Sequence, residues 1–196
     1  MKGKIYAITG GIGSGKSLVI QYLSKKGYIT YSADEIYDLL LKDDCFVYEI
    51  YKVLQIPYKK GDKFNRELVS KVVFNDKTKL NLLNDFTHKK IMTKMLALSK
   101  NHNLLVFNEV PLLFESGFEN LYDGVIVIVR DTAERINAVI KRDGKTKEQV
   151  ENIIKNQFDY DKISQKKHIL IVNDGDIKSL YSKVDEILSE IEKSSN

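Results

Sequence analysis

The sequence predicts an α/β protein in which helices cover both faces of a five-stranded parallel sheet, giving three layers. Five short β-prone runs alternate with segments of helical periodicity, an alternation typical of parallel sheets. The last three runs are almost continuously apolar, as expected for strands that are buried on both faces. The five runs span residues 4–9, 28–31, 104–107, 124–129 and 169–172.

The first β-prone run leads into a glycine-rich loop and then into a helix predicted at 16–26. The loop fits the pattern G-x-x-x-x-G-K-[ST] in full, which is the P-loop that holds nucleotide phosphates. Its glycines let backbone N–H groups face a phosphate, and the helix N-terminus adds a favourable dipole. Lys16 is expected to bridge phosphate oxygens, and the Ser17 hydroxyl is expected to bind Mg²⁺. The predicted nucleotide-binding residues are Gly11, Ile12, Gly13, Ser14, Gly15, Lys16 and Ser17.

Asp34 follows the second β-prone run. Because the carboxyl ends of parallel strands lie at one edge of the sheet, its carboxylate is expected to face the γ-phosphate bound by the loop. There it would accept the proton of an acceptor hydroxyl or help to position metal-bound water. The alternative is structural, since Asp is a favoured N-cap and would cap a helix over 35–41.

The stretch between the second and third β-prone runs, about seventy residues, is too long for a structureless crossover. Its segments rich in Leu, Lys, Val and Met predict helices at 34–41, 66–74 and 77–99. We therefore predict that residues 32–103 form a helical insert, and that this insert builds the pocket for an acceptor.

The third β-prone run leads into Asn108-Glu109 and then into the sequence Val-Pro-Leu-Leu-Phe-Glu at 110–115. This segment is expected at the same edge of the sheet as the P-loop. Glu109 stands where a Walker-B-type acid would assist Mg²⁺. The apolar residues 112–114 also fit ordinary core packing, so both interpretations stay open.

Arg135 and Arg142 are seven residues apart on one predicted helix, so they lie on one face about 10.5 Å apart. Arginine is scarce in this lysine-rich chain and is suited to a bidentate grip on phosphate. A mobile segment bearing Arg142 could therefore close over the nucleotide. The alternative is that both arginines are exposed surface residues.

Capping-box spacing marks two helix starts, at 131–134 and 146–149, and these two helices are predicted to meet at 142–144. The last segment, 177–191, carries apolar residues at helical spacing along one stripe. It is predicted to be a packing helix.

Composition bounds the remaining possibilities. Hydrophobic residues are 43% and charged residues 30% of the 196 residues, which predicts one compact domain over 1–196. The net charge of +4 comes from interleaved charges, so no nucleic-acid patch is expected. The single cysteine, Cys45, excludes an internal disulfide and is expected to be a small buried residue. Without a signal-like or membrane-spanning run, we expect a cytoplasmic protein.

Taken together, these motifs resemble the dephospho-CoA kinase family, which acts in the last step of coenzyme A synthesis, over essentially the whole chain. The extended opening at 8–17 and Pro-Leu-Leu-Phe-Glu at 111–115 are the most specific parts of the match. Ser32 departs from the family, which usually has the first Asp of Asp-Ala-Asp there. The other matching positions are Ala33, Asp34, Asn65, Arg66, Leu68, Val73, Phe74, His88, Arg135, Arg142, Asp143, Gln157, Lys162, Asn173, Asp174 and Gly175.

The resemblance implies a P-loop kinase core with a helical CoA-binding insert and a lid at 142–165. It implies transfer of the ATP γ-phosphate to the ribose 3′-hydroxyl of dephospho-CoA, with Mg²⁺ as cofactor. Lys16, Asp34 and Arg142 would be the catalytic residues, with Asp34 as the base. Arg142 and Asn173 would complete the ATP site that the P-loop begins. The implied acceptor-binding residues are Thr9, Asp34, Arg66, His88, Leu113 and Glu115.

Two other functions stay open from the sequence. One is another small-molecule P-loop kinase, acting on a nucleoside monophosphate or a sugar, because the P-loop is common to these enzymes. The other is a non-catalytic nucleotide-binding switch, against which Asp34 and Arg142 argue. The expected partners are ATP and dephospho-CoA, with no nucleic acid and no membrane. The expected assembly is a monomer or a weak homo-oligomer.

Overall fold

A five-stranded sheet forms the centre of the fold in the structure, a computed structural model that describes residues 3–74, 76–163 and 168–194. The strands are β1 (Ile5–Thr9), β2 (Ile29–Ser32), β3 (Val106–Glu109), β4 (Gly124–Val129) and β5 (Ile169–Val172). Their order is β2-β3-β1-β4-β5, and β1 runs parallel to both β3 and β4. β4 is also parallel to β5. The predicted α/β fold class is confirmed.

Eight α-helices lie in the described residues, four of them between β2 and β3. They are α1 (Lys16–Lys25), α2 (Ala33–Leu40), α3 (Asp44–Leu54), α4 (Arg66–Phe74), α5 (Lys77–Ser99), α6 (Thr132–Asp143), α7 (Lys147–Lys155) and α8 (Ile177–Lys193). Short 3-10 turns span Glu119–Leu121 and Tyr160–Lys162. In this part of the chain, no helix combines the length and the apolar character that crossing a membrane requires.

The chain divides into two compact units, which we call the sheet unit and the helical unit. The sheet unit comprises Met1–Tyr31 and His102–Asn196, and the helical unit comprises Ser32–Asn101. The helical unit falls within the stretch predicted as an insert at 32–103. Its acceptor-binding role stays a prediction.

The core of the sheet unit lies between the sheet and two helices. Alternate residues of β1 and β4 point to one face, and α1 and α8 pack against that face. The apolar stripe predicted for the last helix is therefore the stripe that faces the sheet. Fully buried side chains in this layer include Ile8, Val19, Leu23, Phe107, Ile128 and Leu180.

The helical unit has its own core, built by packing α2, α3 and α4 against the long helix α5. Aromatic rings form much of it, with the Phe46 and Phe86 centroids 5.7 Å apart and Tyr37 edge-on to Phe46. The helical unit therefore has a hydrophobic core separate from that of the sheet unit.

Helix α3 was absent from the sequence-based assignment. It begins after Asp43, whose side chain accepts a hydrogen bond from the N–H of Cys45 at 2.9 Å. Residues 46, 47, 50, 51 and 54 face the core at helical spacing, whereas Cys45 is exposed in the first turn. The expectation of a buried Cys45 is therefore wrong, because its position points away from the buried stripe.

Strand β3 lies two residues later than the apolar run that predicted it. Leu104 is exposed, and pairing with β1 carries the strand through Asn108 to Glu109, which is opposite Ile8. The register of the neighbouring strand, rather than hydrophobicity, sets where β3 ends. As a result, Glu109 stands beside the start of the P-loop.

Candidate active site

The loop between β1 and α1 takes a shape that only glycines permit at two positions. Gly13 and Gly15 have φ of 75° and 105°, in the left-handed region. A Cβ on Gly13 would also stand 2.5 Å from the carbonyl oxygen of Arg135. In the described residues no side chain caps α1 after Gly15, so its first N–H groups are open to an anion.

Lys16 folds back over this loop. Its Nζ donates hydrogen bonds to the carbonyl oxygens of Gly10 and Gly11, at 2.8 and 3.0 Å. Burial lowers the pKa of Lys16 to about 8, although the nearby Glu109 carboxylate opposes the shift. Two arginines on α6 lower the pKa further. The ammonium is therefore placed where a phosphate would bind. Burial disfavours its charge as long as no anion is bound beside it.

We expect nucleotide affinity to fall as the pH rises above about 8. A bound polyphosphate favours the charged form of Lys16, so the pKa in the complex is higher than about 8 in the free protein. Binding then takes up a proton between these two values, and affinity falls by up to about tenfold per pH unit there. At pH 7 Lys16 is already charged, so nucleotide binding takes up almost no proton.

Calorimetric titration with ADP at pH 7 and pH 9, in buffers of different ionisation enthalpy, measures this proton uptake. Lys25→Ala, which removes a lysine from the last turn of the same helix, should keep the wild-type profile. An affinity that is equal at pH 7 and pH 9, without proton uptake, would contradict the lowered pKa.

Ser17 and Glu109 form the pair that could hold a divalent cation. Ser17 Oγ donates a hydrogen bond to Glu109 Oε1 at 3.0 Å, joining α1 to the end of β3. A hydroxyl and a carboxylate are oxygen donors of the kind that Mg²⁺ prefers. The described residues contain no cluster of three or more His, Cys, Asp or Glu side chains suited to a metal. The arrangement therefore fits a cation that takes most of its ligands from phosphates and water.

Arg135 and Gln157 support the P-loop from outside. Arg135 Nε donates to the carbonyl oxygen of Ile12 at 3.0 Å, and the N–H of Ile12 donates to Gln157 Oε1 at 2.9 Å. The backbone C=O and N–H of Ile12 are therefore both held by side chains. Arg135 is 5% exposed and lies against Gly11, where a Cβ would overlap its guanidinium. For Arg135, the alternative of an exposed surface residue is wrong.

Arg142 has different surroundings from Arg135, two turns earlier on α6. It is exposed and makes a bidentate ion pair with Asp143, at 2.6 and 2.9 Å. This pairing raises the pKa of Arg142 above its already high value. The helix ends directly afterwards at Gly144, so Arg142 stands at the junction between α6 and α7. Its role in a lid at 142–165, of which residues 164 and 165 lie outside the described part, stays a prediction.

Asn173 reaches the P-loop from the end of β5. Its Nδ2 donates to the carbonyl oxygen of Ser14 at 2.9 Å, and its own N–H donates to the carbonyl oxygen of Val129 at 2.8 Å. Ser14 is almost fully buried, and its Oγ has no hydrogen-bond partner among the described residues. Asn173 thus supports the loop, and its part in the ATP site stays a prediction.

Three predicted acceptor residues lie in the sheet unit. Thr9 is fully buried at the end of β1, with its Oγ1 3.3 Å from the hydroxyl of Tyr160. Leu113 is fully buried in the segment after β3. Glu115 Oε1 accepts a hydrogen bond from the N–H of Phe158 at 2.8 Å. Tyr160 and Phe158 were not predicted as site residues, because no motif marks the segment that carries them.

The other predicted acceptor residues lie in the helical unit. Asp34 is the second residue of α2, which begins one residue earlier than expected. Ser32 is the N-cap, and it forms a capping box with Glu35 through hydrogen bonds of 3.2 and 3.3 Å. The interpretation of Asp34 as the N-cap is therefore wrong, because another residue already fills that role.

Arg66 pairs with α2 one turn after Asp34. Its Nη2 donates to Asp38 Oδ1 at 2.6 Å, and both side chains are well exposed. Asp34 and Asp38 share a face of the helix at four-residue spacing. His88 is half-buried on α5. The structure therefore places the Arg66 guanidinium beside Asp38, on the face of α2 that also carries Asp34.

Comparison with known proteins identifies the family. The family model for dephospho-CoA kinase matches residues 4–179. The chain belongs to the dephospho-CoA kinase family. A dephospho-CoA kinase of Fusobacterium nucleatum is 34% identical over 191 residues, which cover 95% of this chain and 98% of that protein. The resemblance drawn from the motifs is thus confirmed.

Two solved structures align with almost the whole chain. The dephospho-CoA kinase from Campylobacter jejuni aligns with a TM-score of 0.68 at 28% identity, covering 98% of each chain. A Thermus thermophilus crystal structure aligns with a TM-score of 0.80 at 26% identity, covering 97% of this chain and 98% of that chain. The match to dephospho-CoA kinases extends over both units of the chain.

Proposed function

We propose that the protein transfers the γ-phosphate of ATP to the ribose 3′-hydroxyl of dephospho-CoA, giving coenzyme A and ADP. The observation that carries this proposal is a complete P-loop, with Lys16 placed over it, in a chain whose family match spans residues 4–179. Catalysis would come mainly from positioning and from neutralising phosphate charge.

Nucleotide binding would use the loop and Lys16. The N–H groups at the start of α1 would receive phosphate oxygens. Lys16 Nζ would exchange its two hydrogen bonds to loop carbonyls for hydrogen bonds to phosphate. The buried ammonium would then be paired with a negative charge. Because Arg135 and Gln157 already fix Ile12, the loop would bind with little rearrangement.

Mg²⁺ would be held by the Ser17 hydroxyl and by the Glu109 carboxylate, directly or through water. When bound, it supplies positive charge beside the phosphate oxygens. Ser17 would turn its hydroxyl from Glu109 toward the cation, since the two groups now share a hydrogen bond. Glu109 would then keep the cation at the end of β3.

Asp34 would accept the proton of the 3′-hydroxyl, and Arg142 would exchange its partner Asp143 for phosphate oxygens as the lid closes. Thr9, Arg66, His88, Leu113 and Glu115 would contribute to acceptor binding. These assignments rest on the family pattern at the matching positions of this sequence.

The test is an acceptor panel with the purified protein and Mg-ATP. Dephospho-CoA, AMP, CMP, shikimate and gluconate are offered together, and the products are resolved by mass spectrometry. We expect only dephospho-CoA to gain a phosphate, and a 3′-nucleotidase to remove it. Transfer to another acceptor would indicate a different small-molecule kinase, and ATP binding without any transfer would indicate a nucleotide switch.

A further inference from the structure

Tyr160 joins the ends of two neighbouring strands through its hydroxyl. The hydroxyl donates to the carbonyl oxygen of Pro111 at 3.4 Å and lies 3.3 Å from Thr9 Oγ1. Since the phenol has one hydrogen, Thr9 is then the donor in the second contact. Thr9 ends β1 and Pro111 follows β3, so the bridge spans the carboxyl ends of adjacent parallel strands.

Aromatic packing fixes the position of this hydroxyl. The Tyr160 ring is 5.5 Å from Phe158 in an edge-to-face arrangement and 6.1 Å from Phe114. The side chain is 5% exposed, and burial raises the pKa of Tyr160 to about 12. The hydroxyl therefore keeps its proton at neutral pH and can donate and accept at once.

The residues before Tyr160 reach the same two regions. Gln157 Oε1 accepts the N–H of Ile12 in the P-loop, and the N–H of Phe158 donates to Glu115. The segment 157–160 therefore contacts the P-loop on one side and the segment after β3 on the other. Tyr160 contacts Thr9, directly before the P-loop, and Pro111 in the segment after β3.

We propose that Tyr160 is a positioning residue for phosphoryl transfer, which fixes the start of the P-loop relative to the acceptor-side segment 111–115. The proposal rests on the proposed function. Transfer requires the reacting atoms to be held within about 3.5 Å, and small displacements lower the rate strongly. Both contacts of the hydroxyl are long, at 3.3 and 3.4 Å, as catalytic hydrogen bonds often are before substrate binds. We therefore expect loss of the hydroxyl to lower the rate more than the stability.

Tyr160→Phe removes the hydroxyl and keeps the ring. We expect kcat to fall about tenfold, while KM for ATP and for dephospho-CoA changes less than about twofold. The matched control is Tyr28→Phe, which removes a hydroxyl that donates to Glu192 on α8 at 2.6 Å. The pKa of Tyr28 is also raised to about 12, by burial and by the hydrogen bond to Glu192, so both phenols keep their proton at neutral pH. Tyr28→Phe should keep the wild-type kcat.

Two further variants test whether Tyr160 acts on kcat through Thr9. Thr9→Val removes the partner of Tyr160, and the double variant Thr9→Val/Tyr160→Phe should have no lower kcat than the more impaired single variant. Independent, multiplying losses would show that Tyr160 does not act through Thr9 and would overturn the proposal. Thr9→Val also gives the answer if Tyr160→Phe fails to fold, since a wild-type kcat in Thr9→Val would overturn it too.

Amide hydrogen exchange separates failure of this proposal from failure of the proposed function. If the wild type does not phosphorylate dephospho-CoA, the proposed function fails, and exchange in peptides covering 9–17 and 109–115 becomes the deciding measurement. Faster exchange in Tyr160→Phe, but not in Tyr28→Phe, supports the positioning role. Unchanged exchange, or equal loss of kcat in both variants of an active enzyme, overturns it.

Discussion

Replacing Lys16 with Ala lowers kcat by about 10³-fold, because the variant loses the cation that neutralises phosphate charge as the γ-phosphate is transferred. The ammonium lies over the P-loop at 2.8 and 3.0 Å from two loop carbonyls, in a buried setting where a charge acts strongly. Single-turnover kinetics with Mg-ATP and dephospho-CoA measures the loss at the chemical step.

Lys16→Ala is expected to change the thermal stability of the protein much less than its activity. Lys16→Ala removes a buried ammonium whose charge is disfavoured by desolvation, as its lowered pKa of about 8 indicates. We therefore expect a melting temperature close to that of the wild type. Lys25→Ala serves as the control and should retain full activity. A Lys16→Ala enzyme with more than about a tenth of wild-type kcat would contradict the role of the lysine in transition-state stabilisation.

Asp34→Asn is expected to lower kcat by about 10²-fold to 10³-fold while ATP binding is retained. Asn keeps the size of the side chain and one acceptor oxygen, but it cannot take up the proton of the 3′-hydroxyl. Since Ser32 and Glu35 cap α2, the substitution removes no helix cap. The measurement is kcat together with the affinity for ADP.

The matched control for Asp34→Asn is Asp44→Asn. Asp44 also lies in the first turn of a helix of the helical unit, so both variants lose a similar interaction with the helix dipole. Asp44→Asn should keep wild-type kcat, and both variants should melt at similar temperatures. If Asp34→Asn retained its rate, Asp34 would not be the base.

The local sequence pattern was sufficient to predict those helices and strands whose own residues show clear periodicity or capping motifs. Strands β4 and β5 are continuous apolar runs, and their bounds match the prediction. Helices α4 and α5 also match, and α7 begins with the predicted capping box between Thr146 and Gln149. These features depend on neighbours within a few residues, so the sequence alone reveals them.

Contacts between distant parts of the chain could not be predicted in this way. Arg135 and Arg142 share a residue type and a helix face, yet one is buried against Ile12 and the other is exposed. What separates them is the position of the P-loop, which local periodicity does not contain. Tyr160 is likewise 151 residues away from Thr9 along the chain. Only the folded sheet brings such residues together.

The close approach of Arg135 to Gly11 also limits how the sequence can diverge over evolutionary time. Any side chain at position 11 would occupy the space of the guanidinium and so release the carbonyl of Ile12 that Arg135 holds. The effect of a mutation at position 11 or 135 therefore depends on which residue occupies the other position. We therefore expect relatives that retain Arg135 to keep glycine at position 11, and relatives that lack Arg135 to accept larger residues there.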